Sequence, residues 1–185
     1  KKLDSKTVFE NSWMEVRVDH VVNPGGGEND YGYVHFKNRA VAIVALDDEG
    51  NTWLVGQQRY TLGDYSWELP MGGAPLDENP VDAAKRELAE ETGLRARLWS
   101  EVMMLHPSNS ITDEVGIVYI ATDLTQGETK FEETEDLAVR KLPFDDALAM
   151  VSVGEITDAI SVAALLRVAS EYGKLIGHPT GDSLG

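Results

Sequence analysis

The stretch from Gly72 to Leu94 constrains this chain more than any other, because it specifies a helix at both ends and loads one face with negative charge. Asn79 is placed as an N-cap, and Pro80 suits the first helical position with its fixed φ and missing donor. Asp82 complements the positive end of the helix dipole, and Gly93 can adopt the left-handed conformation that ends a helix. A helix over residues 80–92 follows. At about 100° per residue, Glu87, Glu90 and Glu91 stand at i, i+3 and i+4 and share one face. Like charges at that spacing cost about 0.2–0.5 kcal/mol per pair in an isolated helix, so something must offset them. Two readings are open: a solvated helix ion-paired through Lys85 and Arg86, or a site for divalent cations, which take hard oxygen ligands.

Composition narrows what surrounds that helix. At 185 residues the chain is one domain's worth of polypeptide, and 42% hydrophobic residues supply a core. The absence of cysteine removes disulfides, thiolate metal sites and cysteine nucleophiles together, and it fits a reducing compartment. Sixteen Lys and Arg against 32 Asp and Glu give a net charge of −16, which repels polyanions. Nucleic acid and anionic membrane are therefore not expected as partners. No stretch approaches the roughly 18 apolar residues of a membrane span. The basic start, Lys1 to Ser5, runs into no apolar region of a signal peptide, so the expected location is the cytoplasm. Nothing points to zinc, because His20, His35, His106 and His178 are scattered with no pair at ligand spacing.

Around the helix the chain reads mainly as strands. Residues 14–22 alternate in part, and the continuous apolar run at 40–46 reads as a buried strand. Residues 52–60 follow it closely across the acidic turn at 47–51, so these two strands are expected to pair as a hairpin. Two more strands are expected at 96–105 and 115–121, with a loop at 107–114 between them. Helices are expected at 144–153 and 158–172, the second carrying an apolar stripe of Ile160, Ala164, Leu165 and Val168. The expected division is an N-terminal strand region at 1–38, a main domain at 39–176 and a loose tail at 177–185.

The spacing inside the first segment separates the two readings of the glutamate face. Five residues lie between Gly72 and Glu78, and seven more precede Arg86, which opens the run Glu87-Leu88-Ala89-Glu90-Glu91-Thr92-Gly93-Leu94. This resembles the complete signature box of the Nudix hydrolase family, with every specified position filled, and it favours the metal site. The resemblance implies an α/β fold, a Nudix-type α/β/α sandwich around a mixed β-sheet, with an antiparallel strand region at the N-terminus. It also implies hydrolysis of a diphosphate linked to another group, by attack of water on phosphorus, with Mg²⁺ as cofactor and Mn²⁺ as the alternative. By position, Glu87 and Glu91 match the family's principal metal ligands, and Glu90 matches a ligand or a bridge through water. The carbonyl of Met71 matches a backbone ligand. Arg86 joins the catalytic set by orienting the glutamates.

Outside the box, Gln57-Gln58-Arg59-Tyr60, the approach Trp67-Glu68-Leu69-Pro70-Met71-Gly72-Gly73 and the helix start Asp158-Ala159-Ile160-Ser161 resemble the ADP-ribose and nucleoside diphosphate sugar pyrophosphatase branch. That branch splits a nucleoside diphosphate sugar into a nucleoside monophosphate and a sugar phosphate. The likeness implies that Arg59 contacts substrate phosphate or ribose, that Glu68 lies in the substrate site, and that Trp13 sits near the base. It also implies a homodimer formed through N-terminal strands. In the loop at 107–114, Glu114 fits a branch glutamate that acts as base or binds a metal, on a mobile loop that closes over the site. The general base stays open among Glu114, Glu90 and Asp113. Two departures, the lack of glycine after Pro107 and Met71 where alanine is usual, leave the substrate open to a dinucleoside polyphosphate or an oxidised nucleoside triphosphate. A non-catalytic nucleotide sensor on the same fold would lack box glutamates, and none is missing here.

Overall fold

The computed structural model describes residues 1–127 and 137–175, so the tail expected at 177–185 lies outside the described residues. The chain begins with three antiparallel strands, β1 (Lys2–Glu10), β2 (Met14–Val22) and β3 (Glu28–Phe36), in the order β1-β2-β3. There follow β4 (Asn38–Ala45), β5 (Asn51–Arg59), β6 (Asp64–Glu68), β7 (Met71–Pro75), α1 (Pro80–Thr92), β8 (Leu94–Leu105) and β9 (Gly116–Gln126). The chain ends with β10 (Ala138–Pro143), α2 (Phe144–Val153) and α3 (Ala159–Leu175). A mixed sheet in the order β7-β4-β9-β8 forms the centre, with β4 and β9 parallel and the other pairs antiparallel, and β10-β5-β6 forms a third sheet.

The continuous apolar run of β4 has a direct structural cause. Val41, Ile43 and Ala45 pack with Ala83, Ala84 and Leu88 of α1, while Ala42 and Val44 pack with Ala164, Leu165 and Val168 of α3. A strand covered by helices on both faces needs apolar side chains at every position. This gives the layered α/β/α architecture expected from the sequence, with the antiparallel strands at the N-terminus.

One expectation fails. The run at 40–46 and the run at 52–60 do not form a hairpin, because β4 pairs with β7 on one edge and β9 on the other, while β5 pairs with β6 and β10. A strand has only two edges, and both edges of β4 are taken by partners distant in sequence. The acidic turn serves a different end: the Asp47 carboxylate accepts bonds from the Glu49 and Asn51 amides at 3.0 and 2.8 Å, and the chain then leaves for the next sheet. Within the expected N-terminal strand region, the sequence bounds only β2. β1 is exposed along its whole length and β3 along its first half, so neither shows apolar alternation.

Both ends of α1 match the sequence signals. The Asn79 side chain accepts from the Val81 amide, and Gly93 has φ of 72° with its N–H bonded to Ala89 O at 3.0 Å. A Cβ at that φ is strained, so Gly93→Ala is expected to lower the unfolding free energy by about 1–2 kcal/mol. Urea denaturation of the two proteins measures this, and an unchanged midpoint would show that the αL cap contributes nothing.

Candidate active site

The site is built where α1 lies against β7. At Gly72 the helix approaches so closely that an added Cβ would lie 2.0 Å from Glu87 Cδ, so only glycine leaves room for that carboxylate. Arg39 braces the turn between the two elements, its Nη2 donating to the carbonyls of Pro75, Leu76 and Glu78 at 3.1, 2.9 and 3.0 Å. The glutamates divide their oxygens between two kinds of donor. Arg86 Nη1 donates to Glu87 Oε1 at 2.7 Å and to Glu90 Oε2 at 3.2 Å, and its Nη2 donates to Gly73 O at 3.0 Å. Glu91 is the inner member, only 4% exposed, and its Oε2 accepts the Met71 amide at 2.9 Å.

A cavity of about 460 Å³ opens over this face. Of the residues singled out in the sequence, Trp13, Arg59, Met71, Glu87, Glu90 and Glu91 line it together. Arg86 sits behind the glutamates. Glu68 is 2% exposed and lies beneath the cavity rather than in its wall: Arg59 Nε donates to Glu68 Oε1 at 2.9 Å, and Arg59 Nη2 donates to Glu68 Oε2. This two-pronged pair fixes the guanidinium plane, and the bond to Glu68 raises the Arg59 pKa further above its usual value. Trp13, 67% exposed, stands on the turn after β1, where Asn11 Oδ1 accepts the Trp13 and Met14 amides at 2.9 Å each.

Glu114 lines an adjoining cavity of about 210 Å³ that shares Trp13, Asn38, Gly72 and Gly73 with the first. Burial, and then the charge of Asp158, pushes its carboxyl above the usual carboxylate range. Asp113 is turned elsewhere, with Oδ2 against His35 Nδ1 at 2.5 Å and Oδ1 accepting the Phe36 amide at 2.9 Å. The loop at 107–114, expected as a mobile arm, is hydrogen-bonded to β3 in this structure, Val34 donating to Ile111 O at 2.9 Å. Asn38 and Gln57 also line the large cavity, and they escaped sequence reasoning. Gln57 was within reach, because it stands two residues from Arg59 on the same face of β5. Asn38 had no signal of its own, and it enters through the β4–β7 pairing, where an added Cβ at Gly73 would lie 2.6 Å from its Nδ2.

Among the described residues, no three acidic or histidine side chains converge on one point as a ready-made cation cage. The donor set nonetheless suits a hard divalent ion, which accepts a few carboxylate oxygens and completes its shell with waters and phosphate oxygens. Three carboxylates and a glycine-lined backbone on one wall of a cavity have that chemistry.

Comparison with known proteins agrees with this geometry. A NUDIX domain matches residues 36–160, and a nucleoside diphosphate sugar hydrolase N-terminal domain matches residues 1–34. The chain is 39% identical over 171 residues to an ADP-ribose pyrophosphatase of Mycobacterium tuberculosis, covering 90% of this chain and 81% of that protein. It is 32% identical over 172 residues to an ADP-ribose pyrophosphatase of Bacillus subtilis, covering 89% and 92%. The solved structure of an ADP compounds hydrolase superposes with a TM-score of 0.84 at 23% identity, over 96% of this chain and 95% of that one. This chain belongs to the Nudix hydrolase family, whose members work with divalent metal ions.

The raised pKa of Glu114 has a consequence for stability. A carboxyl whose folded pKa exceeds its unfolded value stabilises the fold below the unfolded pKa, and that contribution is lost as pH rises through the folded pKa. In metal-free buffer, Glu114→Gln is therefore expected to melt higher than the parent at pH 8, with the advantage vanishing near pH 4. Thermal melts at both pH values test this, and an equal gain at both would trace the effect to packing.

Proposed function

We propose that this protein hydrolyses the diphosphate bond of ADP-ribose or a related nucleoside diphosphate sugar, releasing a nucleoside monophosphate and a sugar phosphate. The observation that carries the reading is the convergence, on one cavity, of the α1 glutamate face and an arginine held in a fixed plane by a buried carboxylate. The two ADP-ribose pyrophosphatases similar over most of their length support the same substrate class.

The residues divide the work. Glu87, Glu90, Glu91 and the Met71 carbonyl would hold the divalent ion, for which Mg²⁺ is our choice and Mn²⁺ the alternative. When bound, it neutralises charge on the non-bridging phosphate oxygens and acidifies water. Arg86 keeps Glu87 and Glu90 oriented through its shared Nη1. Arg59 matches phosphate in geometry and charge, and Glu68 sets the direction in which its guanidinium points. Trp13 offers a flat apolar surface at the cavity wall for the base. Glu114 takes the proton from the attacking water. Its raised pKa makes it a stronger base than an ordinary carboxylate, whereas Asp113 is committed to β3 and Glu90 to Arg86. The water oxygen bonds to phosphorus and the bridging oxygen leaves with the departing phosphate group, a step that needs the two held in line.

Incubation with Mg²⁺ and each of ADP-ribose, GDP-mannose, UDP-glucose, an oxidised dGTP and a dinucleoside polyphosphate, followed by phosphatase and phosphate detection, tests the substrate. EDTA-sensitive turnover of a diphosphate sugar is the expected result. Turnover confined to the last two would overturn the substrate class, and silence throughout would favour a sensor. Glu91→Gln keeps an acceptor for the Met71 amide but removes the charge, so kcat is expected to fall by about a hundredfold or more.

We further read residues 1–38 as a dimerisation element beside a catalytic domain at 39–176, in a cytoplasmic homodimer. The N-terminal sheet leaves Leu3, Val8, Phe9 and Tyr31 about half exposed, a surface suited to a second copy, and a chain without cysteine suits a reducing compartment. Sedimentation equilibrium is expected to return the mass of two chains. The mass of one would remove the dimer.

A further inference from the structure

The loop that carries Glu114 is bound to the N-terminal sheet from Ser110 to Asp113. Val34 of β3 lies parallel to Thr112; the Val34 amide donates to Ile111 O at 2.9 Å, and the Asp113 amide returns a bond to Val34 O at 3.2 Å. Tyr31 Oη donates to Ser110 O at 2.5 Å. Within the loop, Ser108 O accepts the Ile111 and Thr112 amides, and His106 Nδ1 meets Glu114 O at 3.1 Å. On the far side of Glu114, the Ala40 amide donates to Val115 O at 2.9 Å. Both neighbours of Glu114 are therefore tied to other strands. With consecutive Cα atoms about 3.8 Å apart, a residue held from both sides has little room to shift.

On the N-terminal side a side chain adds to these backbone ties. Asp113 spends both oxygens on β3, one on the Phe36 amide and one on the His35 ring. Burial pushes the Asp113 carboxyl up, but these two donors outweigh it and hold the group below the usual range. An ionised carboxylate only accepts, so His35 Nδ1 carries the hydrogen and donates. Neither His35 nor Asp113 lines the cavity over the glutamates, so neither is placed to touch substrate there.

We propose that His35 and Asp113 form a positioning pair through which β3 of the N-terminal sheet sets the place of the Glu114 carboxylate in the cavity that adjoins the one over the α1 glutamates. The inference rests on the reading of Glu114 as the base. It gives the N-terminal sheet a part in the chemistry without any contact with substrate. Misplacement of a reacting group by about 1 Å can cost on the order of a hundredfold in rate, which sets the scale of the effect.

A double-mutant cycle tests it on the full-length protein, with turnover of the best substrate from the panel as readout. His35→Phe keeps the ring and removes the donor, whereas His35→Asn restores a donor near the Nδ1 position. His35→Phe is expected to lower kcat by roughly 10- to 100-fold, with KM and the Mg²⁺ dependence within about threefold of the parent, and His35→Asn to recover most of the loss. In a Glu114→Gln background, His35→Phe should change kcat by less than about twofold, because the group it positions is gone. The same fold-loss in both backgrounds, or no recovery with His35→Asn, would overturn the positioning role while leaving Glu114 as base. Turnover of Glu114→Gln equal to the parent would overturn the base reading and this inference with it. If His35→Phe does not fold, Asp113→Ala takes its place in the cycle, with Asp113→Asn as the variant expected to recover part of the loss and the same fold-loss in both backgrounds overturning the role.

Discussion

The close approach of α1 to β7 is the constraint on which the rest depends. Glu87 reaches the backbone of Gly72 only because no Cβ stands there, and an added one would fall 2.0 Å from its carboxyl carbon. That approach brings a strand edge, a helix face and the start of a second strand into one cavity wall. Leu88, fully buried one residue on, anchors the helix to Val41 and Ile43 of β4, so the apolar side of α1 holds its charged side in place. The packing of one face thus determines the position of the other.

A chain with a net charge of −16 must still gather carboxylates without self-repulsion undoing the fold. Two arginines do this locally. Arg86 shares one nitrogen between Glu87 and Glu90 and lends the other to Gly73 O, linking helix to strand. Arg59 forks onto buried Glu68, which would otherwise be a carboxylate in an apolar setting. Each arginine answers a different problem: one relieves repulsion along a helix face, and the other makes burial of a charge tolerable while leaving a guanidinium at the cavity wall.

Legibility followed the range of the interactions. The helix at 80–92 was readable at both caps because capping is a bond within a few residues. The glutamate face followed from helical period alone, and the box spacing gave the family. The pairing of β4 was misread because proximity in sequence suggests a hairpin, while the strand's edges went to β7 and β9, which arrive from 26 or more residues away. β1 escaped because an exposed strand carries no apolar alternation. Asn38 escaped for a similar reason: a lone polar residue before a strand becomes part of a site only through what pairs beside it.

By itself the sequence determined the helix, the gathering of its glutamates on one face, and the membership that this spacing implies, since all three depend on residue order over about twenty positions. The tertiary structure alone decided that Glu68 is buried in a pair with Arg59, that Asp113 is spent on His35, and that Glu114 is left facing the adjoining cavity. Those outcomes rest on contacts between residues up to 78 positions apart. No local pattern encodes which of two neighbouring acids turns toward a strand from the other end of the chain, because that choice is made by hydrogen-bond donors that only folding brings within reach.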